Sequence, residues 1–145
     1  MKIYVASSWR NRDQPDVVNL LRLDGHEVYD FRNPPNRSGF AWGDLDPDWQ
    51  SWNGQQYIKH LADADAVAGF DADMVGLTTA DACVLLLPCG RSAHLEAGYA
   101  TGVGKPLAIV LDPSQPIEPE LMYKMAGLIT DSWGELVLWL DGVQS

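Results

Sequence analysis

The chain has 145 residues, 46% of them hydrophobic, enough for one compact domain over residues 1–145 with a real core. Asp and Glu number 20 against 10 Lys and Arg, and the resulting net charge of −10 repels a phosphate polymer, which argues against nucleic acid as a partner but not against one small phosphorylated ligand. The opening MKIYVASS has no charged segment ahead of a long apolar stretch, no apolar run is long enough to span a bilayer, and the two cysteines, Cys83 and Cys89, six residues apart with Cys83 inside an apolar run, do not suggest a disulfide framework, so a reducing cytoplasm is the expected setting and a membrane is not.

Ile3 to Ala6 reads as a short buried strand. Asp16 to Asp24 follows as a helix, with Val17, Leu20, Leu21 and Leu23 at helical spacing and Gly25 to stop it. Glu27 to Phe31 is a second strand, which completes a β-α-β unit. Residues 32–46, rich in Pro, Asn, Gly and Arg, read as a loop. Asp46-Pro47 has the form of an N-cap followed by proline at the first helical position, opening a short helix with Trp49 and Trp52 on one face. Further helices are expected from about Gln55 to Ala62 and from Phe70 to Thr79. Ala82 to Leu87 is the third strand, Ser92 to Thr101 a helix whose Gly98 and Gly102 suggest close packing on a neighbour, and Pro106 to Leu111 the fourth strand. A helix near Glu118 to Met125, a strand at Leu128 to Thr130 and a helix from Ser132 to Leu140 complete the chain.

Strands alternating with helices imply an α/β, flavodoxin/Rossmann-like three-layer fold. Its expected core is a five-stranded parallel sheet of order 2-1-3-4-5. In such sheets ligands sit beyond the carboxyl ends of the strands near the switch in strand order. The loops after Ala6, Phe31 and Leu87 are therefore where chemistry is expected. After Leu87 the chain turns through Pro88 to Arg91 and starts a helix near Ser92, so that backbone N–H groups at Gly90, Arg91 and Ser92 make a natural seat for an anion. Glu96 lies early in that helix, where an acidic residue either serves chemistry or complements the helix dipole. Asp73 precedes the third strand, although Asp63, Asp65 and Asp71 are equally acidic; two converging carboxylates can divide the work of glycosidic cleavage. Ser7, Ser8, Trp9 and Arg10 follow the first strand, and the guanidinium groups of Arg10 and Arg91 suit a phosphate. Cys89 beside His94 is a weaker nucleophilic pair, and Cys83, Cys89 and His94 lack metal-ligand spacing. Gly102-Val-Gly104 follows a helix instead of opening one, so it is no dinucleotide fingerprint.

Tyr4 to Arg10, Asp73, Ala80-Asp81 before an apolar strand, Glu96-Ala-Gly-Tyr-Ala and Gly104-Lys-Pro106, in this order, resemble the nucleoside 2-deoxyribosyltransferase superfamily. That superfamily includes the 2′-deoxynucleoside 5′-monophosphate N-glycosidases. The resemblance implies that Glu96 is the nucleophile that attacks C1′, that Asp73 assists leaving-group departure or orients the sugar, and that Tyr4 positions the nucleophile. It implies no metal or organic cofactor, a small nucleoside or nucleotide as substrate, and a homodimer or larger homo-oligomer, with Tyr123, Lys124 and Met125 as residues to reach across. The chain departs from the pattern at Gly90, where the deoxyribosyltransferases carry a base-binding aspartate six residues before the nucleophile. Ser8-Trp9-Arg10 instead resembles the Ser-Ile-Arg with which the nucleotide glycosidases contact a 5′-phosphate; Ser92 lies near the position of their phosphate-binding serine. Residues 32–57, with Trp42, Trp49 and Trp52, have no counterpart and read either as an aromatic lid over the base or as core or interface packing. Two other classes share these features: a TIR-like NAD glycohydrolase, and a non-catalytic nucleotide-binding module, against which the retention of Tyr4, Asp73 and Glu96 argues.

Overall fold

Each apolar run of four to six residues has the length and continuity of a strand buried on both faces. In the computed structural model, which describes residues 1–145, such runs form β1 (Lys2–Ala6), β3 (Ala82–Leu86) and β4 (Leu107–Val110), and two less apolar or shorter segments, only partly buried, form the edge strands β2 (Glu27–Asp30) and β5 (Leu128–Thr130). All four pairings are parallel and the order is β2-β1-β3-β4-β5, as expected from the sequence. Register aligns Tyr4 with both Tyr29 and Cys83, a pairing that matters for the site.

Alternation along β1 divides the core. Ile3 and Val5 join Val17 and Leu21 of α1 (Gln14–Leu23) and, from the last helix, Leu136 and Leu140. Tyr4 and Ala6 point to the opposite face and pack with Leu77, Leu85, Ala93 and Ala97. The first helix begins two residues earlier than its apolar spacing suggests. The buried Asn11 side chain accepts from the N–H groups of Asp13 and Gln14 at 2.9 and 3.1 Å, and Pro15 follows in the first turn.

Several expectations are corrected between the second and third strands. The segment expected as loop contains a short helix, α2 (Trp42–Leu45). Asp46 does not cap a helix: its carboxylate accepts from the Asp48 N–H and from Trp52 Nε1, so Trp49 to Ser51 forms only a 3-10 turn. A capping box between Asn53 and Gln56 opens α3 (Gly54–His60). The next helix, α4 (Ala64–Thr79), starts six residues before the expected Phe70. Its first turns are Ala-rich, and Val67, Phe70 and Val75 are exposed, so they have no clean apolar stripe to read.

α5 (Arg91–Gly102) runs from the β3 loop, with Ala93, Ala97 and Ala100 buried against the sheet. Gly98 and Gly102 face open space, contrary to the close packing expected of them. The Gly104-Lys-Pro106 stretch closes the turn: Lys105 Nζ donates to the carbonyls of Thr78 and Ala80, satisfying the end of α4. In place of the helix expected from Glu118, only a 3-10 turn at Leu121–Met125 forms. α6 (Trp133–Gln144), capped by Ser132 on the Glu135 N–H, ends four residues past Leu140. No helix is long and apolar enough to cross a membrane.

Candidate active site

Tyr4 sits at the centre of β1, fully buried, with its ring stacked in parallel on Tyr29 at 5.2 Å. Its hydroxyl faces the carboxylates of Glu96 and Asp73, which arrive from α5 and α4. β1 and β3 flank the switch in strand order, so the three residues gather where the topology leaves a crevice. They form the floor of a cleft of about 460 Å3. One wall is Phe40, Trp42, Val67, Phe70 and Met74; the other is Ser92, Leu95 and Tyr99.

Both carboxyls are perturbed. Burial, then the neighbouring Asp73 charge, raises Glu96 from 4.5 to about 7, against the partial relief offered by Tyr4. Glu96 is the sixth residue of α5, beyond the first turn in which the helix dipole favours an anion, so burial dominates. Asp73 is also raised by burial, opposed by a hydrogen bond from Tyr29 and by the Arg37 charge. The Tyr4 hydroxyl is pushed far above its ordinary value by burial and by Glu96 and Asp73, and therefore stays protonated as a donor. Tyr4 Oη and the Glu96 carboxylate perturb one another without reaching full hydrogen-bond geometry. Neither Glu96 oxygen has a hydrogen-bond partner in the chain, and neither is sealed from the cleft.

α4 explains why Asp73 enters the site and its acidic neighbours do not. Gly69, Asp73 and Gly76 recur at helical spacing on one face. A Cβ on Gly69 would lie 2.9 Å from Phe40, and one on Gly76 would lie 2.5 Å from the Tyr29 ring. The two glycines seat two aromatic rings, and Asp73 emerges between them. Asp63 instead pairs with His60 at 2.7 Å, Asp65 is exposed, and Asp71 borders a groove beside β2.

Of Ser8, Trp9, Arg10, Gly90, Arg91 and Ser92, the candidate binding residues after β1 and β3, only Ser92 lines the cleft. Ser8 accepts from the Arg10 N–H at 3.2 Å, and Arg10 and Arg91 are exposed. Trp9 donates to the Phe40 carbonyl at 3.1 Å and so braces the aromatic wall from behind. Gly90 is the residue before α5, whose N-terminus has no side-chain cap. Trp52 does not line the cleft; it stacks on His60 at 4.1 Å and meets Trp42 edge-on.

Four residues outside the candidate set shape this region. Tyr29 donates to Asp73 at 2.8 Å, and the Arg37 charge partly offsets the upward pKa shift that burial gives both. Arg32 donates to the carbonyls of Ser8, Trp9 and Asn11 at 2.7–3.0 Å, which holds the loop after β1. Asn11 ties that loop to the carbonyls of Leu86 and Pro88. The spacing of Gly69, Asp73 and Gly76 marks in the sequence a helix face open to a close neighbour, but it does not say which residue packs there.

Cys89 and His94 do meet, at 3.6 Å, but not as a nucleophilic pair. His94 Nδ1 lies 2.8 Å from the Gly90 carbonyl, which only accepts, so Nδ1 carries the hydrogen and Nε2 accepts from Tyr123 at 2.8 Å. Nδ1 is then unable to take the Cys89 proton. Burial and Glu96 push the thiol up to about 12. No group of three or more His, Cys, Asp or Glu side chains is arranged to hold a metal ion.

The fold and cleft define an α/β protein of flavodoxin-like topology with a carboxylate pair at the switch point. No protein-family model matches the chain, and no curated protein matches it. Solved structures do. A 2-deoxyribosyltransferase from Bacillus psychrosaccharolyticus is similar over 94% of this chain and 90% of its own, with TM-score 0.64 and 20% identity. A CMP N-glycosidase from Clostridium botulinum is similar over 97% and 99%, with TM-score 0.53 and 15% identity. A conserved protein from Enterococcus faecalis V583 is similar over 95% of each chain, with TM-score 0.62 and 18% identity. At these identities the likeness is one of fold, and the fold is the one that the sequence resemblance implies.

Proposed function

We propose that this protein is an enzyme that cleaves or transfers at the N-glycosidic bond of a nucleoside or nucleoside 5′-monophosphate, with Glu96 as nucleophile. The observation that carries this reading is the Tyr4–Asp73–Glu96 group at the floor of an aromatic cleft. A Glu96 oxygen, free of other bonds, attacks C1′ as the C1′–N bond breaks, and the electron pair leaves with the base, which takes a proton from solvent. Water, or a second base, then attacks C1′ and releases Glu96 as carboxylate. Tyr4 donates toward Glu96 and holds its orientation, Asp73 receives a sugar hydroxyl, and Phe40 and Trp42 stack on the base. The enzymes of the same fold, a 2-deoxyribosyltransferase and a CMP N-glycosidase, support the bond chosen.

The lining of the cleft favours the uncharged nucleoside, since it contains no Lys, Arg or His. A 5′-phosphate is left with the uncapped start of α5 at Gly90, Arg91 and Ser92, flanked by Ser8 and Arg10 in the adjoining loop. The exposed apolar side chains at the cleft rim, Val67, Phe70, Leu95 and Tyr99, support a homo-oligomer in which a second copy covers them. A cytoplasmic setting completes the reading. Incubation with a panel of nucleosides, their 5′-monophosphates and NAD, followed by chromatography for free base, tests it. Release from a nucleoside or monophosphate that is lost in Glu96→Gln is expected. Release from NAD alone, or from nothing in the panel, overturns it.

A further inference from the structure

Asp73 is a demanding residue to place. It accepts a hydrogen bond from a sugar hydroxyl most strongly as the carboxylate, yet it is half-buried, and burial favours its neutral form. The groups that face it are Tyr4 from β1, Tyr29 from β2, Arg37 from the loop after β2, and Glu96 from α5. Only Tyr29 bonds to it, through Oδ1 at 2.8 Å. The other oxygen, Oδ2, has no hydrogen-bond partner in the chain and is not sealed off. It is the oxygen available to a ligand.

The Tyr29 ring is itself tightly held. One face stacks on Tyr4 with an interplanar angle of 7°, and the ring sits where Gly76 leaves no room for a methyl group. Gly76 lies three residues after Asp73, so the same helix face that presents the carboxylate also makes the slot for its partner. A tyrosine needed only to fill that slot would be served as well by phenylalanine. We propose that Tyr29 is a positioning residue of this site: its hydroxyl takes one oxygen of Asp73, which orients the carboxylate and leaves its second oxygen for the substrate's sugar. The inference rests on the proposed role of Asp73 in glycosidic chemistry.

Tyr29→Phe tests it, because the variant keeps the ring, the stack on Tyr4 and the fit against Gly76. Two readouts are needed. With 13C-labelled aspartate, the side-chain carboxyl of Asp73 is titrated by NMR in wild type and variant, which needs no substrate; the midpoint should move to higher pH in the variant. With the substrate found in the panel above, kcat/KM should fall about tenfold to a hundredfold, and its acid limb should move to higher pH. Unchanged far-ultraviolet circular dichroism confirms the fold. An Asp73 titration that does not move, or a kcat/KM profile identical to wild type, overturns the inference. Its failure is separate from that of the proposed function: if Glu96→Gln is inactive while Tyr29→Phe behaves as wild type, only the role of Tyr29 is lost.

Discussion

The carboxyl of Glu96 should cost the protein stability, and the cost can be worked out. Its constant moves from 4.5 to about 7 in the folded chain. Between those values the folded state binds a proton that the unfolded state has released, so stability falls as pH rises through this window and the full cost is present above it. The displacement corresponds to about 3 kcal/mol. Glu96→Gln removes the titrating group, so the variant should gain on wild type at pH 8 and gain little at pH 4.5. For a chain of this size, about 3 kcal/mol is roughly 6–12 °C in melting temperature, less whatever the amide costs on burial. Thermal unfolding of both proteins across pH 4.5–8, followed by tryptophan fluorescence, measures this. If the difference between variant and wild type is the same at both ends, Glu96 is not a strained acid and the electrostatic account of the cleft is wrong.

Three other perturbations separate the parts of the site. Asp73→Asn removes the like charge beside Glu96, so the Glu96 titration should fall below about 7, as read by carboxyl NMR, while turnover drops. Gly76→Ala places a methyl 2.5 Å from the Tyr29 ring; it should destabilise the fold by about 1–3 kcal/mol in urea unfolding and shift Asp73 as Tyr29→Phe does. Trp42→Ala opens the aromatic wall, and roughly a fivefold to hundredfold rise in KM with a smaller change in kcat is expected from steady-state kinetics.

What could be read from the sequence follows from where physical constraint is local. Strands such as Ala82–Leu86 are buried on both faces and read as unbroken apolar runs. Right-handed crossovers then restrict the sheet to few orders, so the switch point, and with it the neighbourhood of Tyr4 and Glu96, was accessible. Helix boundaries were less so. The first two turns of α4 were hidden because Val67 and Phe70 are apolar yet exposed, and the helix expected at Glu118 failed because residues 117–120 make no buried contact to hold it. Tyr29 was invisible for a different reason. A tyrosine in an edge strand satisfies strand propensity by itself, and only the register that pairs it with Tyr4, together with the slot at Gly76, shows that its hydroxyl meets Asp73. Arg37 and Phe40 reach the site from an irregular segment whose path no periodicity encodes. Conversely, residue type alone suggested Arg10 and Arg91 for a phosphate, while the fold leaves both side chains exposed and off the cleft's lining.

The proposed chemistry depends above all on a bond between Glu96 and C1′. A 2-fluoro-2-deoxy analogue of the substrate slows breakdown of a glycosyl ester, so that intact-protein mass spectrometry can catch it. One added sugar per chain is expected, mapped by peptide fragmentation to Glu96 and absent from Glu96→Gln. A sugar carried by any other residue, or release of base by Glu96→Gln at the wild-type rate, contradicts it.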